Sequence, residues 1–327
     1  MPTIAAAPGR ISLPVEAVRW LVTHSGGFHA DEVLSTVVLK RLFPQAKVIR
    51  SRDEEWTAPA PDRIIYDEGR AFDPEARIFD HHQRGAPLRP DGRPYSSFGL
   101  IWRQFGADYL AALGVAAADV AAVWERVDGR FVLPVDLMDN GVLDPGTAGL
   151  LAGLTLPVLI ESLKPPFDAR DQQADNRAFD RAVDVATVFL ESAVAEAAAG
   201  LRADALVRRA LRGTDGGRVL ELPTAVPFQD AVMVPEAAHL WFVIHPRSDG
   251  WLLTGIRRAS DTFALRADLP AAWAGLSGDA LQKASGVPGA RFCHKGRFLA
   301  VAADRESVLR MAQLAVEEAG RSADPVE

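Results

Sequence analysis

Four short apolar runs lie within the first eighty residues and alternate with helical or turn segments, and this pattern limits the fold more than any other feature. The runs cover residues 18–22, 47–50, 63–66 and 77–79. Apolar runs of this length that alternate with helical patterns are typical of a mainly parallel sheet with helices on both faces. We therefore expect an α/β fold in the first half of the chain.

The helices are predicted from apolar spacing and from capping residues. Asp31 begins a helix whose apolar positions recur at intervals of three and four residues, and Pro44 ends it. Ser96 and Ser97 are suited to cap a further helix, because their hydroxyls can accept backbone N–H groups. A proline-free, alanine-rich stretch over residues 171–212 predicts a long helical connector.

The character of the chain changes after Gly213, where hairpin patterns replace the alternation of strands and helices. Apolar runs at residues 241–245 and 251–256 flank an Arg-Ser-Asp-Gly turn, which predicts a hairpin. A helical pattern over residues 305–319 follows. We therefore expect a domain over residues 1–165, a helical connector over residues 166–213 and a smaller α+β lobe over residues 214–327.

Composition and charge exclude several classes of protein. The formal net charge of −7 argues against a broad basic surface for long nucleic acid, so a polyanionic substrate needs a local positive patch. The single cysteine, Cys293, cannot form an internal disulfide and is compatible with a reducing compartment. Since no apolar stretch reaches the length of a membrane span, about 20 residues, and the start of the chain lacks an export signal, we expect a cytoplasmic protein without membrane contact.

Imidazole and carboxylate side chains follow three of the four predicted strands. They are His24, His29 and Asp31 after the first strand, Asp67 after the third, and Asp80, His81 and His82 after the fourth. Asp136 and Asp139 flank a later loop, and the Asn-Gly pair directly after Asp139 breaks regular structure. Because the carboxyl ends of parallel strands meet at one edge of a sheet, we expect these side chains to line one crevice.

This collection is large enough for a centre of two metal ions. Such a centre needs about six or seven ligands, with a carboxylate that bridges ions about 3.5 to 4 Å apart. Neutral imidazole together with carboxylate suits Mn, Fe or Zn, whereas an all-oxygen set suits Mg or Ca better. The residue types therefore predict a site for two transition-metal ions.

Longer stretches around these residues resemble the Myg (melanocyte proliferating gene) family, which is described as metal-dependent protein hydrolases and is related to the DHH phosphoesterase superfamily. The resemblance is carried by residues 23–32, 66–69, 79–84, 96–101 and 136–141 in the first domain, and by residues 269–276, 285–289 and 292–294 in the last lobe. It implies a DHH-like first domain that binds two Mn²⁺ ions, with Mg²⁺ as the alternative.

The resemblance also implies which side chains hold the ions. The implied metal ligands are His24, His29, Asp31, Asp67, His81 and Asp139, with Asp136 as the alternative to Asp139. In this assignment Asp67 bridges the two ions, His24 belongs to the first ion and Asp31 to the second. His29 stands where the superfamily usually has an aspartate, and this larger share of imidazole favours Mn²⁺ over Mg²⁺.

Neighbouring residues are the predicted catalytic groups. Two cations are expected to favour ionisation of a water for in-line attack on phosphorus. We expect His82 to bind a substrate oxygen or to protonate the leaving group, and Asp80 to orient an imidazole. Arg84 is expected to donate to a phosphate through its planar guanidinium.

The last lobe supplies positive charge against an acidic background. We take Arg258, His294 and Lys295 as candidate substrate-binding residues. Trp241, Trp251 and Phe292 either stack on a base or belong to the core. Short single-stranded nucleic acid or a nucleotide is the substrate that suits such a cleft.

These features predict a Mn²⁺-dependent phosphodiester hydrolase, and the leading hypothesis is a 3′–5′ exonuclease that acts on RNA or short oligonucleotides. Among enzymes, the alternative is a hydrolase of small phosphorylated or pyrophosphate compounds or of peptides. From another class, the alternative is a non-catalytic nucleotide-binding module. A homodimer formed through the helical connector is left open.

Overall fold

The computed structural model describes residues 18–214 and 216–323 and confirms the α/β fold class. The chain divides into two units between residues 198 and 199, inside the helix of the predicted connector. The three-part domain division stays a prediction, and the N-terminal segment for which we predict no export signal lies outside the described residues. None of the described helices combines the length and the apolar character that crossing a bilayer requires.

The first unit contains a five-stranded, mainly parallel sheet. Its strands are β1 Trp20–Thr23, β2 Lys47–Arg50, β3 Arg63–Tyr66, β4 Phe72–Asp73 and β5 Ile78–Phe79. They lie in the order β2-β1-β3-β5-β4, and β4, at the edge, runs antiparallel to β5. Most residues of β1 and β3 are buried, as is typical of strands inside a parallel sheet. The four predicted strands are confirmed to within two residues.

Helices accompany this sheet along the chain. They are α1 Ala30–Leu42, α2 Glu54–Thr57, α3 Ser97–Ala112, α4 Val120–Val127, α5 Leu133–Asp139, α6 Leu156–Glu161 and α7 Gln172–Leu211, the last of which continues into the second unit. Helix α1 is buried from Ala30 to Leu39 and packs against α3. Its first turn is fixed by Glu32, whose carboxylate accepts the backbone N–H of His29 at 2.9 Å. The residues around the first turn of α1 are therefore held beside the end of β1.

Helix α5 differs from the expectation drawn from the sequence. A turn is predicted around Asp136 and Asp139, but both residues lie on α5. Asn140 leaves the helical conformation, and Gly141 has a φ of 66°, in the left-handed region that glycine adopts most readily. The Asn-Gly pair therefore ends a helix and does not interrupt a loop.

The second unit contains a mixed five-stranded sheet with helices packed on it. The strands are β6 Val219–Glu221, β7 Phe242–Arg247, β8 Gly250–Gly255, β9 Ala290–Cys293 and β10 Leu299–Ala302, and the helices are α8 Gly278–Ser285 and α9 Arg305–Ala323. The strand order is β6-β7-β8-β10-β9, with β6 parallel to β7 and the other pairs antiparallel. The predicted α+β character, the hairpin and the final helix are confirmed.

Candidate metal centre

The six implied ligands converge at the carboxyl edge of the first sheet. His24 follows β1, Asp67 follows β3 and His81 follows β5 at an interval of two residues or fewer. The helices contribute His29 and Asp31 at the start of α1 and Asp139 at the end of α5. Each of the six belongs to a group of three residues whose ligand atoms lie within 4.8 Å of one another. Residues from distant parts of the sequence thus form one compact cluster.

His81 lies among three carboxylates. Its Nε2 is 3.3 Å from Oδ1 of Asp67, 3.3 Å from Oδ2 of Asp139 and 3.9 Å from Oδ2 of Asp31. Despite this proximity, neither His81 Nε2 nor Asp67 Oδ1 has an aligned hydrogen-bond partner among the described residues. Buried polar atoms that are close together and poorly aligned with each other suit a shared cation better than mutual hydrogen bonds.

Asp67 lies between His24 and His81 and contacts both. Its Oδ2 is 3.2 Å from Nε2 of His24, and its Oδ1 faces His81. The ring centroids of His24 and His29 are 6.3 Å apart, and His29 groups with His24 and Glu32 and also with Asp31 and Asp139. Asp67 therefore presents one oxygen to His24 and the other to His81, as a carboxylate that bridges two metal ions does.

The backbone at Asp67 has an uncommon conformation. Its φ of 54° is in the left-handed region, which aspartate adopts more readily than most residues other than glycine. The Asp67 N–H donates to the carbonyl of Phe79 on β5 at 3.2 Å. Gly69 follows at a φ of 102°, and a Cβ there would lie 2.9 Å from Ile78. The turn after β3 is therefore shaped by residues that place the Asp67 carboxylate, and such strain is common at functional sites.

Asp31 is the best indicator that the residues fit a metal ion. Its side chain is fully buried, and neither carboxylate oxygen has a hydrogen-bond partner among the described residues. Burial, together with the nearby carboxylates of Asp67 and Asp139, raises the pKa of Asp31 well above its usual range. An uncompensated buried carboxylate costs several kcal/mol, so a cation would supply the partner that the protein does not.

The pKa values of the clustered residues also indicate a need for positive charge. Burial lowers the pKa of His24, but hydrogen bonds with Asp67 and Glu32 outweigh burial and raise it to about 10. Burial also lowers the pKa of His81, and its contacts with Asp67 and Asp139 raise it overall. Burial raises the pKa of Asp67, yet His24 and His81 hold it far below its ordinary value. The carboxylates thus require positive charge, from protons on the imidazoles or from cations.

Asp80 organises the turn that carries the two adjacent histidines. Its Oδ1 accepts the backbone N–H groups of His81 at 2.7 Å and His82 at 3.1 Å, and it lies 2.8 Å from Nδ1 of His82. Its Oδ2 accepts the N–H of Arg70 at 2.7 Å. Burial raises the pKa of Asp80, but these hydrogen bonds outweigh it and lower the pKa. The contact with Asp80 also raises the pKa of His82 to about 9.

A cavity of about 650 Å³ lies beside the cluster. Its lining includes His29, Asp31, Asp67, His81, His82 and Asp139, together with apolar residues of α5 and α6 such as Val135, Met138 and Val158. The side chain of His82 is 61% exposed, whereas that of His81 is 6% exposed. Arg84 is exposed and is not among the residues that line this cavity. His82 is therefore accessible to a molecule in the cavity, and His81 is enclosed by carboxylates.

Asp136, the alternative ligand, lies outside this cluster. It is fully buried, and its Oδ1 accepts the Ser96 hydroxyl at 2.7 Å and the Gly99 N–H at 3.0 Å. Its Oδ2 accepts Nη2 of Arg89 at 2.7 Å. Donors from the protein thus surround Asp136, and Asp139 is the member of the pair that contacts His81.

Two residues of this region are absent from the predicted set. Glu32 is fully buried, lies 3.1 Å from Nε2 of His24 and groups with His24 and His29 as a candidate ligand. Its position directly after Asp31 is a signal that could have identified it. Arg89 is buried in a loop rich in glycine and proline, and its partner Asp136 is 47 residues away in sequence, so no local pattern indicates it.

The predicted substrate-binding residues lie in the second unit. Arg258 lines a cavity of about 930 Å³ in this unit, and His294 and Lys295 are not among its lining residues. The His294 ring lies 4.4 Å from the ring of Phe298, which does line the cavity. Trp241 and Trp251 are partly buried and pack against the core, whereas Phe292 is 37% exposed.

Comparisons with known proteins identify the family of this chain. The family model MYG1_exonuc, described as "Uncharacterised protein family (UPF0160)", matches residues 20–316. The chain is 32% identical over 320 residues to human MYG1 exonuclease, covering 89% of this chain and 84% of that protein. It is 29% identical over 340 residues to the MYG1 protein YER156C of Saccharomyces cerevisiae, and the match covers 94% of this chain and 98% of that protein.

Among solved structures, that of RecJ from Thermus thermophilus in complex with Mg²⁺ covers 96% of this chain and 51% of that chain. Its sequence identity is 13% and its TM-score is 0.28, a likeness too low to carry an argument. The assignment therefore depends on the family model and on the relatives of similar sequence. By both, this chain belongs to the MYG1 family.

Proposed function

We propose that this protein is a metal-dependent phosphodiester hydrolase that acts as an exonuclease on RNA or short oligonucleotides. The observation that carries the proposal is the buried carboxylate of Asp31, which has no hydrogen-bond partner among the described residues. Beside it, Asp67 offers one oxygen to His24 and the other to His81. The human and bovine relatives are named MYG1 exonuclease, and this supports nucleic acid as the substrate.

The ligand set fits two cations. In this proposal His24 and His29 would hold one ion, Asp31, His81 and Asp139 would hold the other, and Asp67 would be available to both. When bound, such ions supply Lewis-acid activation of water and neutralise negative charge on a phosphate. The mixture of imidazole and carboxylate favours Mn²⁺, with Mg²⁺ as the alternative.

His82 is the side chain placed to meet the substrate. Its ring lines the cavity and is accessible, and Asp80 holds its Nδ1 at 2.8 Å. The second ring nitrogen, Nε2, is left to bind a phosphate oxygen or to protonate the leaving oxygen. Asp80 acts through His82 as a positioning residue. Arg84, two residues further on and exposed, is proposed to contact a neighbouring phosphate.

The proposed polarity is 3′ to 5′, with short single strands as substrate. The net charge of −7 disfavours tight binding along long nucleic acid, whose affinity depends on many contacts between cations and phosphates. A site of this kind therefore suits a strand end or a short oligonucleotide. A homodimer and a cytoplasmic location stay predictions.

The test uses full-length protein from which metal has been removed by chelation. Calorimetry with Mn²⁺ is expected to show uptake of about two ions per chain. A short oligoribonucleotide labelled at either end is expected to lose mononucleotides from its 3′ end when Mn²⁺ is added. His81→Ala and Asp67→Asn should lower the rate by roughly 100-fold or more. Asp91→Asn, at an exposed residue paired with Arg93, is the matched control and should leave the rate unchanged.

Four results would overturn this proposal. The first is the absence of uptake of both Mn²⁺ and Mg²⁺ by the stripped protein. The second is undiminished hydrolysis by Asp67→Asn. The third is turnover of pyrophosphate, small phosphorylated compounds or peptides with no cleavage of RNA, which would identify the alternative hydrolases. Saturable nucleotide binding without any turnover would instead identify a binding module.

A further inference from the structure

The second unit contains its own cavity, of about 930 Å³. Strands β7, β8 and β10 and the loop after β8 contribute to its walls, and the lining includes Gln229, Thr254, Arg257, Arg258, Phe263 and Phe298. This volume is within the range of small-molecule sites, about 300 to 1,000 Å³. The metal cluster plays no part in this cavity, because all of its lining residues belong to the second unit.

The loop over residues 257–265 is held in shape by its own hydrogen bonds. Arg257 pairs with Leu265 as a short antiparallel bridge, and the Arg258 N–H donates to the Ala264 carbonyl at 2.8 Å. Nε of Arg258 donates to the Leu265 carbonyl at 2.8 Å, which orients the guanidinium. Directly after the loop, Arg266 donates to the backbone carbonyl of Val232 at 2.9 Å. The two adjacent arginines are thus presented by an ordered loop.

The charge of this cavity is positive. Neither Arg257 nor Arg258 forms an ion pair with a carboxylate of the described residues, and Asp268, which also lines the cavity, is paired with Arg297 at 2.7 Å. The guanidinium of Arg257 lies 4.9 Å from the centroid of the Phe263 ring. Guanidinium groups without carboxylate partners are suited to donate paired hydrogen bonds to a phosphate.

Aromatic rings stand beside these arginines. Phe263 is 86% exposed and Phe298 is 39% exposed, although large aromatic side chains are normally buried. Exposed aromatic faces beside cations are typical of surfaces that stack the bases of nucleic acids. In the cavity wall, the buried hydroxyl of Thr254 has no hydrogen-bond partner among the described residues, so it is available to a polar ligand atom.

We infer that this cavity binds one nucleotide, with its phosphate on Arg257 and Arg258 and its base against Phe263. The choice of a nucleotide among flat anionic ligands rests on the proposed nuclease function, whereas the existence of the site does not. The same chemistry is offered by a free nucleoside monophosphate, which is the product of exonuclease cleavage, and by the terminal nucleotide of a strand.

The test measures binding and not catalysis. Full-length protein in excess EDTA is titrated with AMP and with UMP by calorimetry, and adenosine and ribose 5-phosphate serve as fragments. Both nucleotides should bind, each fragment more weakly. The double variant Arg257→Gln, Arg258→Gln should weaken AMP binding tenfold or more, because it removes both cationic donors. Arg247→Gln, at an exposed arginine of the β7–β8 turn, should not change it.

A second variant controls for misfolding of the double variant. Phe263→Ala alters an exposed side chain, so the fold should persist, and AMP binding should weaken several-fold while ribose 5-phosphate binding is retained. Asp67→Asn should bind AMP as the wild type does in EDTA. If AMP binding is lost in Asp67→Asn, or is unchanged in both the double variant and Phe263→Ala, the inference is wrong.

Competition identifies the source of the nucleotide. An oligonucleotide that displaces AMP in EDTA indicates that a strand end enters the cavity. An oligonucleotide that binds without displacing AMP indicates a site for the free product. Either result supports the site, and neither depends on hydrolysis. Nucleotide binding in EDTA without Mn²⁺-dependent cleavage would contradict the proposed function alone.

Discussion

Arg89 donates to Asp136 through both Nε and Nη2, at 3.2 and 2.7 Å from the same carboxylate oxygen. Both side chains are buried, and Arg89 also donates to Asp128 at 2.6 Å. Asp136 lies one helical turn before Asp139 on α5. The pair therefore ties the end of α5 that enters the candidate metal centre to the loop that precedes α3.

The other oxygen of Asp136 extends this network to α3. It accepts the Ser96 hydroxyl and the Gly99 N–H, both at the amino end of α3. The side-chain amide of Asn140, directly after Asp139, donates to the carbonyls of Asp136 and Tyr95 at 2.8 and 3.1 Å. The position of Asp139 thus depends on contacts that Asp139 does not itself make.

Removing the charge of Asp136 is expected to weaken both the fold and the metal site. Asp136→Asn leaves the buried Arg89 guanidinium without one of its two carboxylates, so the free energy of unfolding should fall by about 2 to 4 kcal/mol. Mn²⁺ affinity should fall by roughly 10-fold, because Asp139 loses its support. Urea denaturation and calorimetry measure the two effects, and Asp91→Asn is the exposed control. Unchanged stability and metal affinity would contradict a role for the network.

Gly99 is expected to tolerate no side chain. A Cβ at this position would lie 2.2 Å from Oδ2 of Asp136, so Gly99→Ala must displace the carboxylate or the helix. We expect a loss on the order of 2 kcal/mol in the free energy of unfolding. The matched control is Gly320→Ala in α9, which meets no atom within 4 Å and should raise helix stability by up to about 1 kcal/mol. Equal effects of the two substitutions in urea denaturation would contradict the close contact.

The strands and most of the ligands could be predicted because both leave local marks in the sequence. β1, β3 and β5 are short apolar runs, and His24, Asp67 and His81 each follow one of them. Parallel strands bring such ends to the same edge of a sheet, so sequence position alone indicates that these side chains converge.

The network around Asp136 could not be predicted, because its contacts are not local. Arg89, Ser96 and Gly99 are 37 to 47 residues away from Asp136 in sequence. Asp136 and Asp139 carry the same functional group three residues apart. Only the packing of α5 against α3 determines which of them meets an arginine and which meets His81.

Cys293 is expected to be unreactive in the native protein. It is fully buried on β9, and burial raises the pKa of its thiol to about 11, so almost no thiolate exists at mildly alkaline pH. A disulfide reagent such as DTNB should therefore modify it only after denaturation. Ala238→Cys, at an exposed position, should add one thiol that reacts at once. Rapid modification of the native wild type would contradict the burial of Cys293.

The Asp31 carboxylate is expected to stabilise the metal-loaded protein and to destabilise the metal-free protein. Without a cation its buried carboxylate faces Asp67 and Asp139, so Asp31→Asn should raise the free energy of unfolding in EDTA by about 1 to 3 kcal/mol. In the wild type, Mn²⁺ at a hundredfold excess over its Kd should add about 2.7 kcal/mol, and this gain should be largely lost in the variant.

Thermal unfolding of both proteins, with EDTA and with Mn²⁺, measures this exchange. The order of the Tm values should reverse: the variant should have the higher Tm in EDTA, and the wild type the higher Tm in Mn²⁺. Asp91→Asn should follow the wild type in both conditions, since its carboxylate is exposed and belongs to none of the candidate ligand groups. A variant that is less stable in EDTA would mean that the Asp31 carboxylate has a partner within the protein, and the case for a cation beside it would fail.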